Sequence, residues 1–255
     1  MTHPMTTVLI VGASGSIGRH VVAESLEAGF ETRALVRDAG QASLFPEQAR
    51  IVVGDPERAE TLADALEGVT GIVFVQGTYS DAAAEQANYR PIVTVLEALK
   101  FPARVALMTA IGVTKPTPGH DWKRRGERLV RASGLPYTIV RPGWFDYNTA
   151  DEQRLVMMQG DTRRAGDPSD GPVSRAQIAH TLISSLTSAA ANRKTLELVA
   201  EHGPAQTDLD PLFAELQADP MDALDAVLDR DNLPLAQESA AVITELHTVR
   251  ERRPA

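Results

Sequence analysis

The fold is decided by the stretch VLIVGASGSIGRHV, residues 8–21. Residues 6–11, TTVLIV, are rich in branched side chains and are typical of a strand buried on both faces of a parallel sheet. From residue 16 to Gly29 the apolar side chains recur at helical spacing, and a glycine then supplies the stop. The stretch therefore predicts a strand, a glycine-rich turn and a helix.

The turn contains three glycines at three-residue spacing, Gly12, Gly15 and Gly18. Gly12 is expected to make the tight turn out of the strand, Gly15 to let backbone amides approach a pyrophosphate, and Gly18 to let the helix pack closely. The helix start offers unpaired N–H groups and a partial positive charge. A purely structural glycine turn is the alternative to this dinucleotide site. The residues expected to bind are Gly12, Ser14, Gly15, Ser16, Ile17, Gly18 and Arg19.

Strands and helices continue to alternate after this unit. Further strands are predicted at residues 32–37, 49–55, 70–77, 104–110 and 137–143, with a helix at 57–68 among those between them. Pro91 must begin a helical segment or kink one. The pattern predicts an α/β fold with a doubly wound parallel sheet. Residues 1–150 are expected to form the nucleotide-binding domain and residues 151–255 a small C-terminal lobe packed on it.

The composition is that of a soluble globular protein, with 43% hydrophobic and 23% charged residues in 255. The absence of cysteine excludes disulfides, thiolate metal ligands and a catalytic cysteine. The net charge of −9 is spread along the chain without a basic stripe, so no nucleic-acid partner is expected. The six histidines lack metal-binding spacing, so no metal site is expected.

The N-terminal sequence MTHPMTTVLIVG has no basic region before its apolar run. That run is too short for a signal peptide or a membrane span. The sequence therefore predicts a cytoplasmic protein with no membrane partner.

The second strand ends in ALVR, which bears on the choice of coenzyme. NAD requires a carboxylate at this place for its ribose, but Val36 can accept nothing, and Arg37 would attract the 2′-phosphate of NADP. Arg19 and Arg33 are candidate second cations. The alternative is that these arginines are solvated and that Asp38 binds the ribose of NAD. NADP is the expected cofactor, with NAD as the alternative.

Two more segments at strand ends are candidates for coenzyme contact. Asp55, which closes VVGD, would either contact the adenine edge or N-cap a helix begun by Pro56. Gln76, Gly77 and Thr78 follow the fourth predicted strand and should pass under the adenosine and its ribose.

Five segments together resemble the atypical short-chain dehydrogenase/reductases, the NAD(P)H-binding, NmrA-like group that includes quinone oxidoreductases of the second type. The segments are GASGSIGR, ALVRD, VVGD, KRRGERLVRASGLPYTIVRPGWF and DGPVSRAQIA, within residues 6–200. The resemblance implies an extended Rossmann domain with a small C-terminal substrate lobe.

Standard members of that superfamily reduce carbonyls with a tyrosine, a lysine four residues later and a serine after the fifth strand. Alignment on KxxxExLVxxSG places the lysine at Lys123 and the tyrosine at Gly119, and the serine falls at Ala110, beside Thr109. The resemblance therefore implies that two of the three catalytic groups are missing.

Three residues remain as catalytic candidates. Lys123 would bind the nicotinamide ribose or be a solvated helix residue. Thr109 would offer its hydroxyl or simply end a strand. His120 would be a substitute acid or, because it follows PTPG, an exposed loop residue.

The segment RPGWFDYN follows the sixth predicted strand. Trp144, Phe145 and Tyr147 would wall a flat substrate pocket, or Trp144 and Phe145 would pack the lobe onto the sheet. A quinone or similar acceptor needs stacking and orientation more than a strong protein acid. The leading hypothesis is thus an NADPH-dependent oxidoreductase of a small acceptor, and the alternative is a non-catalytic sensor of the NADP(H) redox state. The oligomeric state stays open.

Overall fold

The computed structural model describes residues 6–252. Within that range an eight-stranded sheet is covered by helices on both faces, and a two-stranded ribbon lies beside it. The strands are β1 (Thr7–Val11), β2 (Glu31–Val36), β3 (Arg50–Val53), β4 (Gly71–Phe74), β5 (Arg104–Met108), β6 (Tyr137–Pro142), β7 (Trp144–Phe145), β8 (Arg154–Met158), β9 (Pro172–Val173) and β10 (Lys194–Glu201). The helices are α1 (Gly18–Glu27), α2 (Ala63–Leu66), α3 (Ala84–Asn88), α4 (Arg90–Ala98), α5 (Pro118–Ala132), α6 (Arg175–Thr187), α7 (Asp210–Glu215) and α8 (Ala240–Glu251).

The order of strands in the large sheet is β3-β2-β1-β4-β5-β6-β10-β8. Neighbouring strands are parallel except that β8 runs antiparallel to β10. The chain therefore reverses its direction of winding between β1 and β4, which confirms the predicted doubly wound sheet. Val11 pairs with Leu35 and with Phe74, so these strands end level with one another. Ligands bind at such a reversal, beyond the carboxyl ends of the strands.

The apolar side chains of β1 explain why the sheet is buried on both faces. Val8 and Ile10 pack into the core that includes α1 and α6. Leu9 and Val11 alternate with them and join the core formed with α4, α5 and α8. Since successive side chains of a strand point to opposite faces, an uninterrupted apolar run places the strand between two helical layers.

The helix predicted at residues 57–68 is replaced by a polar turn and the four-residue α2. Oδ1 of Asp55 accepts from the backbone N–H of Glu57, and the hydroxyl of Thr61 donates to the carbonyls of Asp55 and Arg58. These local bonds compete with helix formation, as short polar side chains commonly do. The long helical pattern around Pro91 is divided at Tyr89, and Pro91 lies in the first turn of α4, as expected.

The chain beyond residue 150 extends the same sheet. β10 adds to β6, β8 adds to β10, and α6 packs on α1. The predicted boundary at residue 150 therefore falls inside a continuous sheet. The use of residues 151–255 as a substrate lobe stays a prediction.

Residues 217–239, here called the C-terminal strap, run along α5 and bind its arginines. Arg124 and Arg128 both donate to the carboxylate of Asp225, at 2.7–3.0 Å. Arg131 donates to Asp219 at 3.2 Å, and the side chains of both residues are fully buried. Backbone carbonyls of the strap, among them that of Leu233, accept further bonds from the same guanidinium groups. The strap therefore neutralises the charges that α5 buries.

Candidate functional site

A cavity of about 470 Å³ opens beyond the carboxyl ends of β1, β2, β4 and β5. The glycine turn, the segment after β4, one side of α5 and the ribbon strand β7 complete its walls. Among the residues predicted for the site, those that line it are Gly12, Ser14, Gly15, Ser16, Ile17, Arg37, Gln76, Gly77, Thr78, Thr109, Lys123 and Phe145. The cavity thus brings together residues that are distant in sequence, as the sheet topology requires.

Close packing of backbone explains two of the three glycines. Gly12 has a φ of +89°, and a Cβ there would lie 2.6 Å from the backbone nitrogen of Gln76. A Cβ at Gly18 would lie 2.1 Å from the carbonyl oxygen of Gly12, so the start of α1 packs directly on the turn. Gly18 itself does not line the cavity. α1 has no side-chain N-cap and no acidic residue in its first turn, which leaves its start suited to an anion.

Two buried polar atoms in the cavity wall lack a hydrogen-bond partner in the described part of the chain. They are Oε1 of Gln76 and Nδ2 of Asn88. Oδ1 of Asn88 accepts from the backbone N–H of Thr78 at 3.0 Å, which fixes the orientation of the amide. Because an unpaired buried polar atom is costly, the two atoms fit a ligand with donors and acceptors. A dinucleotide, with its ribose hydroxyls and nucleobase, is such a ligand.

Arg37 lines the cavity at the end of β2 and is held by two carboxylates. Its Nη2 donates to Glu57 at 2.6 Å, and its Nε donates to Asp55 at 3.3 Å. Asp38, the alternative ribose ligand, accepts the backbone N–H of Gly40 at 2.8 Å and does not line the cavity. Arg37 therefore borders the cavity while its guanidinium is paired with the two acidic side chains.

Two expectations near this end of the cavity are corrected, whereas the coenzyme contacts predicted for Arg19 and Asp55 stay predictions. Arg33 is not a second cation for phosphate, because it is buried and donates to the carbonyls of α2 and Glu67. Arg19 is exposed on α1 and lies outside the cavity wall. Asp55 caps the turn at Glu57 instead of a helix begun by Pro56, and it is Pro56 that lines the cavity.

Lys123 lies on α5 with its ammonium group against the cavity. Its Nζ is 5.3 Å from the centre of the Tyr79 ring, over the face of that ring. Burial lowers the pKa of the Lys123 ammonium. A ligand atom that accepts a hydrogen bond from this ammonium would replace the water that it has lost on burial.

The hydroxyl of Thr109 donates to Oε1 of Glu127 at 2.7 Å, although Thr109 borders the cavity. Ala110 also borders the cavity. Gly119 lies in the first turn of α5, one turn before Lys123, and its N–H donates to Asp81. At the two positions that the resemblance leaves vacant, the structure thus brings no free hydroxyl to the cavity.

His120 is a half-buried residue in the first turn of α5, so the expectation of an exposed loop residue is wrong. Its Nδ1 lies 3.2 Å from the carbonyl oxygen of Lys115. Burial lowers the pKa of His120. His120 does not line the cavity, and its assignment as a substitute acid stays a prediction.

The aromatic residues after β6 divide between two roles. Trp144 and Phe145 form β7, which pairs with β9, and Phe145 alone of the three reaches the cavity. Trp144 packs edge to face against Tyr147 with 6.0 Å between ring centres, and Tyr147 is exposed. The predicted flat wall is therefore reduced to Phe145, which also packs against the core that includes α1 and α6.

Sequence reasoning missed three residues at this site: Tyr79, Asn88 and Arg175. Tyr79 directly follows the predicted segment 76–78, so a longer segment would have included it. Arg175 begins α6 after the capping residue Ser174, within the quoted DGPVSRAQIA. Asn88 lies on a short helix without a distinguishing motif.

No group of three or more histidine, aspartate or glutamate residues within 6–252 could hold a metal ion. In the same range no helix is both long and apolar enough to cross a membrane.

A family model described as NAD(P)H-binding matches residues 12–189. The chain belongs to this NAD(P)H-binding family. The resemblance to NAD(P)H-binding proteins is thereby confirmed, and a nicotinamide coenzyme follows from it. The narrower short-chain dehydrogenase/reductase and NmrA-like assignments stay predictions.

This NAD(P)H-binding protein is similar to two curated relatives of different length. It is 26% identical over 249 residues to Protein TIC 62, chloroplastic, from Pisum sativum, covering 82% of this chain but only 46% of the pea protein. It is also 26% identical over 215 residues to Quinone oxidoreductase 2 from Escherichia coli (strain K12), covering 82% of this chain and 73% of that protein. The chain therefore spans less than half the length of the pea relative.

A solved structure supports the fold of the NAD(P)H-binding protein. The oxidoreductase ylbE from Lactococcus lactis superposes with a TM-score of 0.66 at 16% identity, covering 82% of this chain and 95% of that one. At this identity the likeness bears on the fold and not on the reaction.

Proposed function

We propose that the protein is an NADPH-dependent oxidoreductase that reduces a quinone or a similar small acceptor. The observation that carries the proposal is a cavity of about 470 Å³ beside the glycine turn, in which Thr109 and Gly119 provide no free hydroxyl. The name of the Escherichia coli relative agrees with this substrate class. When bound, the coenzyme supplies the hydride.

We assign the coenzyme's contacts to residues already in the cavity wall. The turn at Gly15 and the uncapped start of α1 would bind the diphosphate. Oε1 of Gln76 and Nδ2 of Asn88 would pair with the nucleoside portions, and Lys123 with the nicotinamide ribose. These assignments use the buried polar atoms that the protein itself leaves unpaired.

The substrate class follows from the proton requirement of the reaction. Reduction of a simple ketone develops a strongly basic oxygen, which needs a donor such as tyrosine. A quinone delocalises the charge it gains, so solvent can protonate the product. Phe145 offers a ring face beside the cavity, and Tyr79 turns its own ring face toward Lys123. The ring faces of Phe145 and Tyr79 thus suit a flat acceptor, whose reduction does not require a proton from the protein.

Steady-state assays test the reaction. Purified protein, NADPH and a panel of quinones should give continuous loss of the near-ultraviolet absorbance of NADPH. A matched panel of simple ketones should give much slower turnover. Reduction of ketones at rates equal to those of quinones would contradict the proposed substrate class.

The preference for NADP rests on Arg37. Two of its N–H groups are bound by Asp55 and Glu57, and the remaining donors of its five can take a phosphate. Arg37→Gln should weaken NADPH binding by about tenfold while changing NADH binding little. Glu57→Gln removes a competing charge and should favour NADPH further. Fluorescence titration measures both; equal affinity of the wild type for NADH and NADPH would remove Arg37 from this role.

A non-catalytic sensor of the NADP(H) redox state is the second candidate. The loss of a free hydroxyl at Thr109 and of a side chain at Gly119 favours it as much as it favours quinone reduction. A sensor should bind NADPH and NADP with different affinities but oxidise no acceptor. A cytoplasmic location stays a prediction, because the pea relative is described as chloroplastic.

A further inference from the structure

Arg175 lies between the glycine turn and the aromatic residue of the cavity wall. Its Nε donates to Oγ of Ser16 at 3.2 Å. Its guanidinium stands over the ring of Phe145, 5.5 Å from the ring centre. Both of those neighbours line the cavity, although Arg175 comes from α6 and is 159 residues from Ser16. The arginine is thus delivered to the turn by the C-terminal part of the chain.

The charge of Arg175 also acts on Tyr79, which lines the cavity. Burial raises the pKa of the Tyr79 phenol, and the positive charge of Arg175 opposes that rise. Ser16 and Phe145 therefore contact the same guanidinium, and its charge also acts on the Tyr79 phenol.

One carboxylate neutralises Arg175 in the structure. Asp146 accepts the guanidinium Nη1–H and, through Oδ1, the backbone N–H of Arg175 at 2.9 Å. About half of the Asp146 side chain is exposed to solvent, which weakens the ion pair by screening. A doubly charged group at the glycine turn would compete well for the same guanidinium.

We propose that Arg175 binds the diphosphate of the dinucleotide, with Asp146 holding it in place until the ligand enters. The proposal deepens the proposed function, since it rests on a dinucleotide in the same cavity. α1 offers only backbone N–H groups and a partial charge to the diphosphate, and Arg19 does not line the cavity. Among the described contacts of Ser16, the one that carries a full positive charge is Arg175.

Binding of ADP-ribose, which has the diphosphate but no nicotinamide, tests the proposal without turnover. Isothermal titration calorimetry at low salt should give about a tenfold higher Kd for Arg175→Gln than for wild type. Arg175→Lys keeps the charge but loses the planar fork, so its Kd should lie between the two. Raising the salt concentration should narrow the difference, because the charge is partly exposed.

Arg154→Gln is the matched control. Arg154 is an exposed arginine of the same part of the chain that pairs with Glu201, away from the cavity, and its loss should leave the Kd unchanged. Asp146→Asn should tighten ADP-ribose binding about threefold, since it removes the competing charge. Circular dichroism and thermal unfolding establish that each variant is folded.

The outcomes separate this proposal from the proposed function. Wild-type affinity in folded Arg175→Gln overturns the role of Arg175 alone, as would an equal loss in Arg154→Gln. Failure of the wild type to bind ADP-ribose overturns both proposals. Weakened binding in Arg175→Gln supports the role of Arg175 even if no acceptor is ever reduced.

Discussion

The hydroxyl of Thr109 donates a hydrogen bond of 2.7 Å to Glu127, a carboxylate with no exposure to solvent. Arg141 and Arg131 donate to the same carboxylate, from β6 and from one turn further along α5. The residue that follows β5 at the cavity is therefore tied into a buried ionic network. Its hydroxyl donates to this network, and a catalytic role for Thr109 stays a prediction.

Thr109→Val separates a role in the buried network from a role in catalysis, because it removes the hydroxyl but keeps the shape of the side chain. We expect the free energy of unfolding to fall by about 1–3 kcal/mol, as Glu127 loses one donor in a buried site. The kcat for quinone reduction should change by no more than about twofold, a small fraction of the effect of losing a catalytic group. Urea unfolding and steady-state kinetics measure the two.

Thr138→Val is the control for Thr109→Val, since Thr138 is equally buried but donates only to the carbonyl of Ala191. It should lose stability without any kinetic change. A large fall in kcat confined to Thr109→Val would return Thr109 to a catalytic role.

Lys123→Met should raise stability and weaken coenzyme binding together. Burial lowers the pKa of Lys123, so the unfolded chain binds more protons between that lowered pKa and the ordinary value of 10.5. The charged lysine is thus a net cost to folding at neutral pH, and methionine removes the cost. We expect a higher Tm at pH 7 and about a tenfold higher Kd for NADPH.

The exposed Lys100 provides the comparison for Lys123. Lys100→Met should change neither Tm nor Kd. A lower Tm for Lys123→Met would mean that the charge is stabilised in the folded protein, contrary to its buried position.

The contribution of Glu197 to the free energy of unfolding decreases as the pH rises. Burial raises the pKa of Glu197 to about 8, against the opposing charge of Arg141. The folded protein therefore binds the proton more tightly than the unfolded chain, whose glutamate has the ordinary value of 4.5. This contribution is full below pH 4.5 and is lost as the pH rises through about 8.

Glu197→Gln tests that dependence by urea unfolding between pH 5 and 9. The other ionisable groups around Glu197 are Asp161 and Asp229, and the pKa of Asp229 is lowered mainly through Arg141 despite burial. Their contributions remain in the variant, so the difference between variant and wild type isolates Glu197. Parallel stability curves for the two proteins would refute the raised pKa.

Asp219 anchors the C-terminal strap and should be costly to remove. Its carboxylate accepts from Arg131, Tyr137 and Thr195, and none of it is exposed. Asp219→Ala removes one of the two buried carboxylates that bind Arg131 and the shared acceptor of Tyr137 and Thr195, for which we expect a loss of about 3–5 kcal/mol in the free energy of unfolding. Glu201→Ala breaks a partly exposed pair with Arg154 and should cost at most about 1 kcal/mol. Equal losses in the two variants would contradict the anchoring role.

The parts of the fold that could be predicted from the sequence are those determined by neighbouring residues. The apolar run of β1 and the glycines at Gly12 and Gly18 specify a strand and a turn whatever lies around them. The alternation of strands and helices predicts right-handed crossovers and a doubly wound sheet, whereas the order of the strands comes from the structure. The prediction of a helix at 57–68 was wrong because polar side chains of this segment form a turn. A pattern of apolar residues carries no information about such side-chain bonds.

The site was less predictable, because residues of one type have different partners. Arg33 and Arg37 are four residues apart and look alike in the sequence. Arg33 donates to backbone carbonyls around the end of α2, whereas Arg37, at the cavity, donates to Asp55 and Glu57. Such partners are set by tertiary packing, and the same holds for Arg175 beside Ser16.

The ionic contacts of the C-terminal strap impose an order on the maturation of the nascent chain. The partners of α5 lie 88 residues downstream at Asp219 and 113 residues downstream at Glu238. Because proteins emerge from the ribosome N-terminus first, the glycine turn and its first strands are complete while the α5 arginines still lack their counter-charges. We expect α5 to keep its guanidinium groups in water during that interval and to dock once residues 217–239 have been made. The wall that bears Lys123 should then be the last side of the nucleotide cavity to become rigid.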